Sequence, residues 1–193
     1  MQSLFPLEPV WPEGFQYVPS FISPEEEAQL METIRSIDLH TFLFQGYEAK
    51  RKVASFGYDW SFEKRTLSKG KPIPEAFQFL VQKVATHLLV ETSAIGELLV
   101  TEYPAGSVIN WHRDAPPFDR IIGISLATDC LFRLRPYDTA KQGRKSIHSI
   151  PVSRRSLYIL QGASRTEWEH SIAPVKSQRY SITLRTLVQQ PSL

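Results

Sequence analysis

Hydrophobic positions change their spacing once along this chain, and the change predicts an architecture. Behind Pro74, residues Phe77, Leu80, Val81, Val84 and Leu88 recur at helical intervals, so a helix from Pro74 to about Val90 should lay one apolar stripe on a core. An earlier helix is predicted from Pro24 to about Ile37. Its start is written as Ser23-Pro24-Glu25-Glu26, which supplies an N-cap hydroxyl, a proline at the first helical position and a capping-box glutamate. The segment FQYVPSFI, residues 15–22, reads as an extended entry. Residues 41–66 mix aromatics with Lys and Arg around two glycines, which suits short strands or a flexible hairpin better than a helix.

From Glu97 onward the period shortens. ELLVTEYP, SVINWH, DRIIGISLA, CLFRLRP, KSIHSIPV, RRSLYILQG, EWEHSI and RYSITLRTL are short, β-branched or aromatic runs broken by Pro, Gly or polar clusters. Two helices ahead of such a strand-rich half describe an α+β domain, a double-stranded β-helix (jelly roll) with N-terminal supporting helices. No internal repeat or composition break divides the 193 residues, so residues 1–193 are expected to form one domain.

Composition narrows the classes of function without choosing one. Lys plus Arg number 22 against 20 Asp plus Glu, a near balance that permits a local basic face but no polycationic chain. The single cysteine, Cys130, excludes an intrachain disulfide and a Cys-rich zinc cluster, and is expected as a buried thiol on a core strand. No apolar run approaches the ~18 residues a membrane span needs. The opening MQSLFPLEPVWPEG lacks a basic stretch followed by an apolar one, so a soluble, cytoplasmic, monomeric protein with no membrane partner is expected.

The candidate chemistry lies in the strand-rich half. On a strand, residues i and i+2 face the same side about 6.6 Å apart, close enough for His112 and Asp114 to share one ion. Pro116 and Pro117 should stop that strand at once and leave the pair at a rim. His-x-Asp alone is a weak signal. His170 strengthens it, because a jelly roll brings distant strands face to face, and two histidines with one carboxylate leave open positions suited to iron(II) oxygenase chemistry. Zinc with an activated water could use the same three ligands.

Farther on, Arg179, Ser181, Thr183 and Arg185 alternate onto one strand face. Their Cα atoms span about 20 Å, so both arginines could serve one short dicarboxylate only by reaching inward; such a pocket suits 2-oxoglutarate. The other histidines fit plainer roles: His40 at a helix end, His87 on a helix face, and His148 with no acidic partner two residues away.

Taken in order, TEYPAGSVINWHRD, IIGISLA, GASR at 162–165, His170 and RYSITLR resemble the AlkB family of Fe(II)/2-oxoglutarate-dependent dioxygenases. The resemblance covers most of the chain and is most specific from Tyr103 to Arg185. It implies His112, Asp114 and His170 as ligands of Fe(II), and Tyr103 and Arg179 as partners of the distal carboxylate of 2-oxoglutarate. Arg185 would lie near the oxo-acid end, with Thr101 and Ser181 lining the same pocket. It implies O2 as a second co-substrate and oxidative demethylation of alkylated bases in nucleic acid, DNA or RNA.

Within 41–66, residues 47–62 resemble the family's nucleotide-recognition lid. Arg51-Lys52-Val53 and Phe56-Gly57-Tyr58 are similar to its tRNA-acting branch, which makes Arg51, Phe56 and Tyr58 candidate substrate contacts through phosphate pairing and base stacking. Two departures bear on specificity. Thr101 and Ser181 stand where bacterial members often carry Asn, so amide contacts become shorter hydroxyl contacts or are lost. Pro116 stands where the bacterial repair enzyme has an acidic residue that reads a base amino group. Alternatives are the same oxidation of a protein or small N-alkyl substrate, or an inactive nucleic-acid-binding module.

Overall fold

The computed structural model describes residues 11–44, 47–61 and 63–188. After strand β1 (Gln16–Val18), helix α1 (Pro24–Arg35) starts with the expected capping box. Ser23 Oγ accepts from the Glu26 N–H at 3.1 Å and Glu26 Oε2 accepts from the Ser23 N–H at 2.7 Å. It ends at Arg35, short of the expected Ile37. Strands β2 (His40–Phe44), β3 (Tyr47–Ser61) and β4 (Thr66–Lys69) follow. A 3-10 turn at Glu75–Phe77 leads into α2 (Gln78–Leu88), which the left-handed Leu89 closes at φ 56°. The second predicted helix therefore begins as a tighter turn and stops before Val90.

The eight strand-like runs become β5 (Ile95–Tyr103), β6 (Ile109–His112), β7 (Phe118–Leu126), β8 (Cys130–Pro136), β9 (His148–Val152), β10 (Leu157–Leu160), β11 (Trp168–Ile172) and β12 (Arg179–Leu187). A short helix α3 (Ala163–Thr166) joins β10 to β11. Among the described residues the strands form a major sheet, ordered β1-β10-β7-β12-β5-β3-β2 with β4 on β3, and a minor sheet, ordered β6-β11-β8-β9. All paired strands are antiparallel. This is the expected double-stranded β-helix, with the two helices on the outside of the major sheet. No described helix is long and apolar enough to cross a membrane.

Alternation along the major sheet creates two cores. Ala54, Phe56, Leu98, Val100, Ile122, Ile124, Leu157, Ile182 and Leu184 face outward and meet Leu30 and Ile34 of α1 and Leu80, Val81 and Val84 of α2. The intervening residues face the minor sheet, where Tyr103, Phe132, Leu134, Tyr158, Leu160 and Ile172 form an inter-sheet core. Gly123 permits part of this packing. A Cβ there would collide with the Tyr158 ring, which lies across it from β10. Tyr158 packs in turn at a tilt on Phe132, with centroids 4.5 Å apart, and Phe132 lies against the His170 ring at 5.5 Å. Cys130 is buried at the start of β8, as expected.

Candidate metal centre and co-substrate pocket

His112 and His170 are direct register partners of antiparallel β6 and β11. Opposed residues of such a pair project to the same side, so the rings come together with centroids 4.2 Å apart, inside the gap between the sheets. Asp114 corrects the expectation of a His-x-Asp pair on one strand. β6 ends at His112, and Asp114 lies in the loop that follows, before Pro116. The loop is held from below rather than by strand pairing: Arg165 Nη2 donates to the carbonyls of Asp114, Ala115 and Phe118 at 3.1, 2.8 and 3.0 Å. That clamp turns the Asp114 carboxylate inward, where Oδ2 lies 3.3 Å from His170 Nε2. One ligand atom from each of His112, Asp114 and His170 falls within 4.8 Å of the others.

The electrostatics prepare these atoms for a cation. Asp114 Oδ1 accepts from Arg185 Nε at 2.9 Å and Nη2 at 2.6 Å, while the buried Oδ2 has no hydrogen-bond partner. Burial opposes ionisation of Asp114, but the charge of Arg185 together with His170 and His112 holds its carboxyl well below the usual range. Burial, and then the neighbouring His112, push His170 down to about 3, so the ring is neutral and its lone pair available at neutral pH. His112 Nδ1 lies 2.8 Å from the Asn110 carbonyl oxygen. A carbonyl only accepts, so Nδ1 carries the proton and Nε2 is left to bind. An unpaired buried carboxylate oxygen beside two oriented imidazoles costs free energy unless an ion completes it. The donor set, two nitrogens and one oxygen with open positions, fits Fe(II).

A second incomplete group faces the same interior. Arg179 is fully buried, yet only its Nε is bonded, to Ser125 Oγ at 3.2 Å; Nη1 and Nη2 have no partner. Its guanidinium lies 4.9 Å from the Tyr103 ring centroid, and the Tyr103 hydroxyl lies 3.2 Å from Ser181 Oγ. The register Arg179↔Tyr103 and Ser181↔Thr101 puts all four side chains on one face of β5 and β12. The two unpaired Nη groups of this one guanidinium, with hydroxyls around them, form a carboxylate receptor.

Arg185 does not face Arg179 across a gap as a free guanidinium. It spans Asp114 and the buried Glu97, whose Oε2 accepts from Arg185 Nη1 at 2.5 Å and whose Oε1 accepts from Ser55 Oγ at 3.1 Å. Burial pushes Glu97 up from the ordinary carboxylate value, and Arg185 pulls against it. Sequence reasoning missed Glu97 and Arg165. The available signal for Glu97 was a lone acid opening the apolar run ELLV, which pairs in register with Arg185.

The 2OG-Fe(II) oxygenase superfamily model matches residues 14–186, nearly the whole described fold. The chain belongs to this superfamily. It is AlkB-like, since relatives named ALKBH8 and ALKBH5 match most of its length, and its donor set fits the Fe(II), 2-oxoglutarate and oxygen chemistry of the superfamily. It is 30% identical over 172 residues to the mouse tRNA (carboxymethyluridine(34)-5-O)-methyltransferase ALKBH8, a match covering 86% of this chain and 25% of that protein. The bovine RNA demethylase ALKBH5 is 29% identical over 133 residues, 63% of this chain and 33% of that one. The chain thus spans about a quarter of the length of the mouse relative. In solved structures, OsALKBH1 superposes with a TM-score of 0.70 at 16% identity, covering 94% of this chain and 100% of that one. A Pseudomonas putida prolyl-4-hydroxylase superposes with a TM-score of 0.64 at 14% identity, over 92% and 94% of the two chains.

The oxygenase distributes its expected substrate residues unevenly. Arg51 sits within β3, near enough to Tyr103 to feel its charge; burial lowers its pKa and Tyr103 acts the other way. Phe56 is corrected: it is buried among the helix-side residues, 6.3 Å from the Phe77 ring, and is not presented to a base. The expectation failed at Gly57, whose φ of 89° breaks the alternation of β3. Beyond it Tyr58 pairs with Lys69 of β4 and is half-buried, and Trp60 packs against the inter-sheet core. Much of the expected lid is also sheet, since Lys52–Gly57 pair with Glu102–Glu97 of β5. His40 begins β2 instead of ending a helix. His87 packs edge-on to Phe21 at 5.4 Å, and His148 to Trp168 at 5.3 Å, away from the metal ligands.

Proposed function

We propose that this oxygenase oxidatively removes an N-linked methyl group from a base in nucleic acid, with RNA the favoured target. The observation that carries the reading is the fully buried Arg179 with both Nη atoms unpaired, in the same interior as the unpaired Asp114 Oδ2. Each orphan matches one half of an iron and 2-oxoglutarate pair. RNA is favoured because two of the relatives are named for tRNA modification and RNA demethylation.

When bound, the iron and 2-oxoglutarate supply a two-electron oxidation by oxygen, with succinate and carbon dioxide as co-products. The residues of the chain position and protect that chemistry. His112, Asp114 and His170 hold the ion, with Asn110 fixing the His112 tautomer and Arg185 fixing Asp114. Arg179, Tyr103, Thr101 and Ser181 hold the distal carboxylate, and Arg185 flanks the oxo-acid end. Phe132, Tyr158 and Leu134 wall the inter-sheet side and exclude water. Arg51 and Tyr58 take the substrate side, within one domain whose lid lies at about 41–66. The Pro116 side chain offers no acceptor for a base amino group. The hydroxylated N-methyl group leaves as formaldehyde and restores the N–H. The proposal includes action as a monomer in the cytoplasm.

A panel of N-methylated RNA and DNA oligonucleotides tests it. Formaldehyde and succinate should appear together on at least one methylated base, with RNA turned over faster than the matching DNA. Uncoupled succinate with no formaldehyde from any oligonucleotide would move the oxidation to a protein or small N-alkyl substrate.

A further inference from the structure

The outer face of the minor sheet carries a ladder of arginines and aromatics that the metal centre does not use. His112, Leu134 and His170 point between the sheets, so Trp111, Arg133 and Arg135 point away from them. The guanidinium groups of Arg133 and Arg135 lie 5.0 and 4.5 Å from the Trp111 ring centroid. Beside them Arg113 lies 3.5 Å from the centroid of Tyr137, which is 50% exposed.

Each arginine is tethered by part of its fork and leaves the rest outward. Arg133 donates from Nε to Ser171 Oγ at 3.0 Å, Arg135 from Nε to Glu169 Oε2 at 2.7 Å, and Arg113 from Nη1 to the Thr166 carbonyl at 2.8 Å. The Nη atoms of Arg133 and Arg135 make no hydrogen bond among the described residues. Solvated surface arginines would be long, mobile and unstacked. These lie over a ring and are pinned, so little rotamer entropy remains to be lost when an anion binds.

We propose that this face holds the sugar–phosphate backbone of the single-stranded RNA that flanks the target base. The inference rests on reading the protein as an RNA-directed oxygenase. Three guanidinium groups and Lys141 stand against Glu169, Glu167 and Asp138, so the face keeps a net positive charge that complements phosphate, and planar forks match its oxygens. The exposed Tyr137 ring adds a surface on which a base stacks. An acidic peptide would meet the charges and leave that ring without a partner. Continuity with the reaction is built into the sequence. Trp111 precedes the metal ligand His112 on β6, the edge strand of the minor sheet, and Arg113 follows it just past the strand's end, so a strand leaving the site over that edge meets this face first.

The test uses the whole chain and unmodified, dye-labelled RNA of about 15 nucleotides, a length within the range of single-strand binding sites. In Arg133→Gln/Arg135→Gln, Kd measured by fluorescence anisotropy should rise about tenfold, and the log Kd against log salt slope should shrink by about 1.4, two single-strand phosphate contacts. KM for a methylated RNA of that length should rise by the same factor, with kcat and turnover of a methylated trinucleotide unchanged. Ser149→Lys, which adds a cation beside Arg133 on an exposed position, should tighten binding and steepen the slope by about 0.7. That gain stands even if the double variant fails to fold.

An unchanged Kd and slope in the folded double variant, or no gain with Ser149→Lys, would overturn the proposal. A loss confined to the matching DNA would overturn the assignment to RNA. If the face fails while the trinucleotide is still demethylated, the oxygenase reading survives alone. If no methylated base is turned over but RNA binding still depends on Arg133 and Arg135, the face survives and the reading of the reaction falls.

Discussion

The two faces of the major sheet are made by alternate residues of the same strands, yet they obey opposite rules. On the outer face, Leu98, Val100, Ile182 and Leu184 are fully buried against the helices. On the inner face, one residue away in each case, stand Glu97, Thr101, Ser181 and Arg185, with Arg179 at the end of β12. Burial of apolar area on the outer face contributes roughly 1.5–3 kcal/mol per large side chain. On the inner face buried polar atoms are left unpaired, which costs stability. One face holds the sheet in place so that the other can keep a receptor that is incomplete without its ligands.

Perturbing the two faces separately should therefore give opposite signatures. The largest effect is expected for Leu98→Ala, which should lower unfolding free energy by about 2–5 kcal/mol. Iron and 2-oxoglutarate affinities of the folded protein should hardly change. Urea unfolding with parallel ligand titrations checks this, and a matched fall in both affinities would break the division between the faces. Next comes Arg179→Met. Loss of two charge-assisted hydrogen bonds should weaken 2-oxoglutarate binding by about 2–3 kcal/mol, roughly 30- to 150-fold. Without ligand the variant should be as stable as the parent or more so, because an uncompensated buried charge has been removed. A large stability loss would show that Arg179 serves the fold.

The pH effect is confined to metal-free protein and is smallest near neutrality. His170, held at about 3 when folded against 6.5 as its ordinary value, stays neutral while the unfolded chain takes up a proton between those values. Stability should therefore fall as pH drops from about 6.5 toward 3, by at most about 1.4 kcal/mol per unit for this one group. Asp114, whose folded carboxyl lies below its ordinary value, adds a loss of the same sign at still lower pH. Denaturant midpoints across that range, with His170→Asn as the flattened control, measure the slope.

Much of this was legible from spacing. The period-two runs from Glu97 onward all became strands, and the Ser23 capping box marked the start of α1. His170 could be paired with His112 only by assuming the jelly roll, and the register confirmed it. What stayed hidden depends on backbone geometry that side-chain periodicity does not encode. Asp114 left its strand, and its direction is set by Arg165, fifty-one residues later, through backbone carbonyls that carry no sequence signature. Gly57 reversed the alternation of β3, sending Phe56 to the helix core and Trp60 to the inter-sheet core. Arg185 was read as a co-substrate clamp because its acidic partners, Asp114 and Glu97, come together only in the folded sheet.

Anaerobic titration with Fe(II) and 2-oxoglutarate tests most directly whether the two orphaned groups form one site. The folded protein should develop the weak visible charge-transfer band of the chelate only when both are present, Arg179→Met should need roughly 30- to 150-fold more 2-oxoglutarate to reach it, and His170→Ala should fail to form it. A correctly folded protein that binds neither component, or that forms the band equally well without Arg179, would contradict the account.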